Sequence, residues 1–170
     1  VQAYNDWLLD VWGKASPRFV PQCLVPTSVQ AAVNELERSV GKGHKGVIVP
    51  IEVSQVSKGA TNTYSPEWDP FWAKAEALGV PVCFHSGSAP KILLDLYPGV
   101  DPVVLNAFDN IRRPITSSAV LGQFLFSGIP ERFPKLSVIF GNSGVGWCSY
   151  ALEVSDHEWD RKYRQITPVL

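Results

Sequence analysis

The residue of this sequence best suited to chemistry is His85, which ends an apolar run. The run Val80–His85 has the composition of a buried strand, and its alternation predicts that Cys83 and His85 share one face. His85 is therefore expected at the C-terminal mouth of the strand, beside Gly87. An imidazole there can bind a divalent metal through one ring nitrogen while an acceptor holds the other. A hydrogen-bonded core histidine is the commoner alternative for a strand end.

The other two histidines do not complete a metal site. His44 precedes the run Val47–Pro50, so it is expected at the opposite, N-terminal end of a strand. His157 lies in a helical pattern between two acidic residues, where a solvated or capping role is favoured. A catalytic zinc generally takes about three protein ligands and keeps one position open. The chain thus offers one candidate ligand, His85, of a larger set.

A second segment of interest is the glycine-rich Asn142–Trp147, which follows the apolar run Leu136–Gly141. A nucleophile elbow would need glycine where Val145 stands, and a P-loop would need a lysine that is absent. The spacing of Gly144 and Gly146 is close to a dinucleotide fingerprint, but no strand with an acidic end follows in the sequence. A tight turn from strand to helix explains most of the segment.

Apolar runs and helical patterns alternate along the chain. The predicted strands are Phe19–Leu24, Val47–Pro50, Val80–His85 and Leu136–Gly141. The predicted helices cover roughly Tyr4–Trp12, the segment after Thr27, the segment after Ser65, a part of Ile115–Phe126, and Trp147–Arg164. Such alternation indicates βαβ units and a parallel sheet. The long connection Ser86–Arg113 is rich in Gly, Pro and Asp, and α/β folds build their sites on loops at this position.

Two of these helices have recognisable starts. The segment Thr27–Gln30 has the pattern of a capping box. Ser65 is predicted to cap the next helix, with Pro66 in its first turn. Gly79 is expected to end that helix in the left-handed conformation that glycine tolerates.

Composition and charge exclude several classes of partner. The chain has 15 basic and 16 acidic residues and a formal net charge of −1, without a basic run suited to nucleic acid. The densest basic patch, residues 161–164, follows a run of acidic residues and is interpreted as a solvated helix face. No apolar stretch is long enough to span a membrane. The distant cysteines Cys23, Cys83 and Cys148 favour a reduced, cytoplasmic setting.

The length of the chain bounds its architecture. At 170 residues it can bury one sizeable core, but a complete eight-stranded α/β barrel usually needs about 250 residues. The absence of methionine indicates that the sequence is part of a longer translation product. One domain over residues 1–170 is expected.

Three segments together resemble the amidohydrolase-related family, which includes aminocarboxymuconate-semialdehyde decarboxylase and the resorcylate decarboxylases besides hydrolases. They are GHKGVIVP (43–50), YSPEWDPFWAKAEALGVPVCFHSG (64–87) and SGIPERFPKLSVIFGNSGVGWCSYALEVSDHEWDRKYR (127–164). The resemblance implies an α/β fold, the central part of a (β/α)8 TIM-type barrel. About four consecutive parallel strands with outer helices would lie in this chain, and the N- and C-terminal strands would lie outside it.

The resemblance also implies a metal site. In the family, a His-x-His pair on the first strand, a histidine that matches His85, and a late aspartate hold a divalent metal, commonly zinc. This chain contains only the match to His85. At the position of Asn142 many decarboxylating members carry a catalytic histidine and others a glutamate. Because asparagine cannot act as a general acid or base, Asn142 is expected to orient the substrate or to mark a divergent chemistry.

The predicted function is a metal-dependent hydrolase that acts on a small carbonyl-containing substrate through a metal-activated water. The alternative is a metal-dependent, non-oxidative decarboxylase (a carboxy-lyase) of an aromatic or enoic acid. A nucleotide-binding α/β domain is a third, less favoured hypothesis. A small-molecule substrate is expected, without a nucleic-acid or membrane partner, and a homo-oligomer of the full-length protein is compatible with the sequence. The 170-residue chain alone is expected to be inactive.

Overall fold

The computed structural model of this protein describes residues 1–50, 53, 57–85 and 97–164, apart from the side chains of Asp109, Arg112 and Arg113. The strands within these ranges are β1 (Cys23–Leu24), β2 (Val47–Pro50), β3 (Val82–His85) and β4 (Val138–Gly141). The α-helices are α1 (Gln2–Trp7), α2 (Val29–Lys42), α3 (Asp69–Leu78), α4 (Pro102–Phe126), α5 (Ile129–Arg132) and α6 (Gly146–Glu158). Turns of π-helix extend α1 over Leu8–Gly13 and α6 over Trp159–Tyr163, and a 3₁₀ turn, Pro66–Trp68, precedes α3.

The strands form one parallel sheet in the order β1-β2-β3-β4, so neighbours in the chain are neighbours in the sheet. This order confirms the predicted α/β fold with consecutive parallel strands. The register aligns the last residues of three strands in one row: Pro50 of β2, His85 of β3 and Gly141 of β4. Parallel strands present their C-terminal ends at the same edge, so this row is the edge where α/β folds build their sites.

Helices cover the outer face of the sheet. On the outer face, Val47, Val82 and Phe84 are buried in the core against the helices. The ring of Phe84 lies 6.2 Å from that of Trp72 in α3 and 6.3 Å from that of Phe124 in α4. The inner face carries the alternate residues, which include Ile48, Pro50, Cys83, His85 and Ile139. Aromatic packing on the outer face therefore holds β3 and fixes which residues face inward.

The helix ends follow local sequence signals, with one correction. Ser65 caps the turn before α3 and accepts a hydrogen bond from the Glu67 N–H, as predicted, and Gly79 ends α3 with φ 64°. The predicted capping box is wrong. Ser28 is the N-cap of α2, without a side-chain capping bond. This start places Gln30 one position too early to reach back to the N-cap as a capping box requires.

Two of the predicted strands are shorter at their start because turns occupy their first residues. Phe19 donates its N–H to Ser16 in a turn, and Pro21 has no N–H to donate, so β1 is confined to Cys23–Leu24. Val80 donates to Ala75 in the C-terminal turn of α3, which delays β3 to Val82.

A third strand and a helix also depart from the prediction. Leu136 donates its N–H to Phe133, so β4 begins at Val138. Helix α4 begins at Pro102, capped by Asp101, whose carboxylate accepts from the Val103 N–H at 2.7 Å. The prediction of a loop up to Arg113 is therefore wrong from residue 102 onward, and residues 86–96 lie outside the described ranges.

The structure bears on the expectations for the basic patch, for membrane-spanning helices and for the cysteines. Residues 161–164 are exposed, and Arg161 and Arg164 pair with Glu158 and Asp160 at 2.9 and 3.6 Å. These ion pairs confirm the solvated helix face. In the part of the chain that the structure describes, no helix has both the length and the hydropathy needed to cross a bilayer. The three cysteines are free thiols, and Cys23 and Cys83 are buried.

Candidate active site

His85 lies where the sequence predicts it, at the C-terminal end of β3. Its partners in the register are Pro50 on one side and Gly141 on the other. The residue is exposed on the inner face, whereas its neighbour Phe84 is buried on the outer face. Neither Pro50 nor Gly141 brings a side-chain donor, so the imidazole is the one polar side chain in this row of strand ends.

The imidazole of His85 packs beside Gly141. A Cβ atom built on Gly141 would lie 3.5 Å from His85 Cδ2 and 3.1 Å from Cys83 Sγ. An added Cβ would thus make an ordinary van der Waals contact with the imidazole and a tight contact with the Cys83 sulfur. Gly141 does not stand out in the sequence, because this contact depends on the register between β3 and β4.

Cys83 lies below His85 on the inner face and is only 6% exposed. Burial raises the pKa of its thiol, because the thiolate would lose hydration. Burial thus disfavours the thiolate, which is the form of cysteine that acts as a nucleophile.

Asn142 follows β4 in the left-handed conformation, with φ 58°, and it is exposed. Alternation along β4 predicts from the sequence that Val138, Phe140 and Asn142 share one face, and the expectation that this is the inner face, in one cavity with His85, is wrong in its parity. Val138 and Phe140 pack on the outer-face core, and the register pairs His85 with Gly141 instead. The left-handed turn redirects the chain at Asn142. The alternation of the strand therefore no longer determines where the Asn142 side chain points. That Asn142 shares a cavity with His85 stays a prediction.

The segment after Asn142 is a tight turn into α6, as the structural interpretation of its glycines predicts. Gly144 has φ 65°, and Gly146 is the first residue of the helix. The Trp147 indole donates to the Gly144 carbonyl at 3.1 Å, and its ring lies 5.2 Å from that of Phe140. Aromatic packing therefore anchors the turn to the outer-face core.

The other two histidines lie away from the C-terminal ends of the strands. His44 is 1% exposed before β2, with Nδ1 3.2 Å from the Ser39 carbonyl, and His157 is exposed on α6. Within the described ranges, His, Cys, Asp and Glu side chains form no group of three or more arranged to hold a metal ion. An imidazole at a strand mouth suits a divalent metal. The described residues therefore provide one suitable metal ligand, His85, and do not provide the other ligands that such a site needs.

A parallel sheet with outer helices and a candidate ligand at its C-terminal edge defines an α/β protein with the site position of barrel enzymes. A family model described as amidohydrolase matches residues 1–165. The chain therefore belongs to the amidohydrolase family, which confirms the resemblance seen in its sequence.

Two curated relatives carry the same name. A gamma-resorcylate decarboxylase of Rhizobium sp. (strain MTP-10005) is 30% identical over 157 residues, which are 90% of this chain and 46% of the relative. The corresponding protein of Rhizobium radiobacter is 29% identical over the same length. The chain thus spans about half the length of these curated relatives.

Solved structures of the same kind share the fold. An amidohydrolase of Mycobacterium avium subsp. paratuberculosis K-10 superposes with a TM-score of 0.78 at 21% identity, over 99% of this chain and 44% of that one. A 2,6-dihydroxybenzoate decarboxylase from Rhizobium superposes with a TM-score of 0.66 at 24% identity, over 85% of this chain and 45% of that one. At these identities the likeness confirms the fold alone.

Proposed function

We propose that this chain contributes His85 to the divalent-metal site of an amidohydrolase-family enzyme that acts on a small carboxylate or carbonyl substrate. The observation that carries the proposal is the exposed imidazole at the C-terminal end of β3, on the inner face of the sheet. A divalent ion, with zinc as the first candidate, would act there as a Lewis acid that polarises an oxygen of the substrate or activates water. The remaining ligands would come from outside the described residues.

The described residues hold His85 in place for this task. The ring of Phe84 stacks on that of Phe140 with 5.6 Å between the ring centroids, and its centroid lies 6.2 Å from that of Trp72. This packing fixes β3 from its outer face. This packing holds the backbone from which His85 projects, and metal sites depend on rigid supporting elements. On the inner face, His85 lies beside Gly141, its register partner on β4.

The reaction that we favour is non-oxidative decarboxylation of an aromatic carboxylate. Its support is the similarity over 90% of the chain to two proteins named gamma-resorcylate decarboxylase. In this reaction the bond between the ring and the carboxyl carbon breaks, CO2 leaves, and a proton takes its place on the ring carbon. Asn142 could hydrogen-bond the substrate, but its neutral amide cannot deliver the proton. Another group would have to deliver it.

Hydrolysis of an ester, lactone or amide is the second candidate, and the identity of Asn142 favours it. In hydrolysis the nucleophile is water, and an amide at this position needs only to orient the carbonyl. The two candidates share the metal site and differ in the product.

The full-length protein is the material for the test. It would be incubated with 2,6-dihydroxybenzoate and, separately, with a panel of aromatic esters, lactones and amides, while released CO2 and cleaved product are measured. Release of CO2 supports the first candidate, and cleavage without CO2 supports the second. His85→Ala should abolish either activity and remove the metal, whereas the control His157→Ala should keep both because His157 is exposed on α6. An active His85→Ala protein with its metal intact would overturn the proposal.

We further propose a reducing, cytoplasmic setting and a small-molecule substrate. The support for the setting is the three free thiols, two of them buried. A homo-oligomer of the full-length protein is compatible with this proposal, and light scattering would test it.

A further inference from the structure

Gly141 is crowded, unlike the two glycines of the turn that follows it. A Cβ at Gly141 would lie 3.1 Å from Cys83 Sγ, 3.5 Å from His85 Cδ2 and 3.8 Å from the Phe84 carbonyl oxygen. At Gly144 and Gly146, in the turn that follows, a Cβ would meet nothing within 4 Å. The glycine at 141 is therefore explained by its neighbours on β3, and its φ does not require glycine.

We propose that Gly141 is a positioning residue for His85, because a side chain at 141 would press on Cys83, which lies two residues before His85 on the same face of β3. The inference rests on the proposed role of His85 as a metal ligand. It adds that β4 helps to set the position of His85 on β3. Gly141 of β4 does so through its contact with Cys83 and His85.

An added methyl group at 141 would displace the neighbour that yields most easily. A Cβ contact of 3.1 Å with Cys83 is tighter than most Cβ contacts in proteins, so the thiol or its surroundings must shift by a few tenths of an ångström. Cys83 is 6% exposed and confined on the inner face between β2 and β4. His85 is exposed directly above it and has room to move. The displacement is therefore expected to reach the imidazole.

A small displacement of the imidazole is enough to matter for a metal. Ligand distances in metal sites hold to within about 0.2 Å, and loss of a residue that orients a ligand typically weakens metal affinity by about 10-fold to 100-fold. We expect Gly141→Ala to weaken zinc affinity by at least about 10-fold for this reason.

The test uses the full-length protein and two readouts. Zinc affinity is measured by competition with a chromophoric chelator, and the imidazole of His85 is followed by NMR of histidine labelled at Cε1 in the metal-free protein. The signal is assigned by its loss in His85→Ala. Gly141→Ala should weaken zinc binding and shift the His85 signal. The double variant Gly141→Ala/Cys83→Ala removes the sulfur atom from the contact, and it should restore most of the affinity and the original signal.

Gly46→Ala is the matched control. A Cβ there would lie 3.2 Å from the Pro81 carbonyl oxygen and 3.3 Å from Gln22 Cγ, which is comparable crowding at the N-terminal edge of the sheet. Gly46→Ala should lower the melting temperature and leave zinc affinity and the His85 signal unchanged. If Gly141→Ala does not fold, Cys83→Val fills the same space from β3 and should have the same effect on zinc.

The outcomes separate this inference from the proposed function. Unchanged zinc affinity and an unmoved His85 signal in Gly141→Ala would overturn the positioning role, even if His85→Ala loses its metal. Equal losses in Gly141→Ala and Gly46→Ala, without rescue by Cys83→Ala, would also overturn it, because general destabilisation would explain both. Retention of metal by His85→Ala would instead overturn the proposed function.

Discussion

The side-chain amide of Asn5 makes two hydrogen bonds with the backbone of Leu24. Asn5 Nδ2 donates to the Leu24 carbonyl at 2.9 Å, and the Leu24 N–H donates to Asn5 Oδ1 at 2.9 Å. The preceding residue, Cys23, donates to Gly46 next to β2, so the polar groups of Leu24 point to the opposite edge of β1. Asn5 therefore occupies, at one position, the edge where a further strand or another chain could pair.

Asn5→Ala tests the energetic weight of this arrangement. Asn5 is fully buried and also donates to Glu35 Oε1 at 2.7 Å. Its removal leaves buried polar groups without a partner, at a cost of about 1–3 kcal/mol each, so we expect the free energy of unfolding to fall by about 3 kcal/mol. Urea denaturation measures the change. The control Gln30→Ala, which breaks an exposed side-chain pair with Asn34, should change stability by less than about 0.5 kcal/mol.

The ion pair of Glu35 with Arg38 leads us to expect that the protein loses stability in acid. Its carboxylate is bonded by the Arg38 guanidinium at 2.7 and 2.8 Å, which lowers its pKa from 4.5 to about 2, with Asn5 and Ser39 adding to the effect. Because the pKa is lower in the folded state, the stabilisation is fully present above pH 4.5 and is lost as the pH falls toward 2. We expect about 2 kcal/mol from this group, allowing for the partial exposure of Arg38.

Urea titrations between pH 6 and pH 2 on the wild type and on Glu35→Gln would measure this contribution, with both sampled at about six values of pH. Glu35→Gln should be less stable at neutral pH and should lose less stability on acidification. Parallel pH profiles of the two proteins would contradict the assignment to Glu35.

The backbone at Asn142 gives a prediction that does not depend on the reaction. With φ 58°, this residue adopts a conformation that asparagine and glycine tolerate better than alanine. Asn142→Gly and Asn142→Ala both remove the side chain, so their difference isolates the backbone. We expect the alanine variant to be less stable by about 1 kcal/mol in urea denaturation. Equal stability of the two would indicate that the turn relaxes to negative φ.

The 170-residue chain should bind zinc poorly, whereas the full-length protein should bind about one equivalent. His85 is exposed at the strand mouth, His44 is buried before β2, and His157 lies on α6, so the described histidines do not converge. Metal analysis after dialysis, on the 170-residue chain and the full-length protein, measures the difference. Stoichiometric zinc on the shorter chain would show that the ligands lie elsewhere.

Features with a local cause were predictable from the sequence. The alternation in Val80–His85 placed His85 and Phe84 on opposite faces, because neighbouring residues of a strand always point apart. The N-cap at Ser65 and the left-handed Gly79 likewise depend on a few consecutive residues. The start of α4 was missed because Pro114, which usually breaks a helix, lies inside it.

By itself, then, the sequence determined the parallel order of the strands and the place of His85 at the end of one of them, since both follow from patterns within short segments. The tertiary structure alone decided what surrounds these segments. The pairing of Asn5 with Leu24 joins residues 19 apart, and the contact of Gly141 with Cys83 and His85 depends on how β4 aligns with β3. Register across a sheet is set by the packing of all its side chains against the helices, and no single segment encodes it.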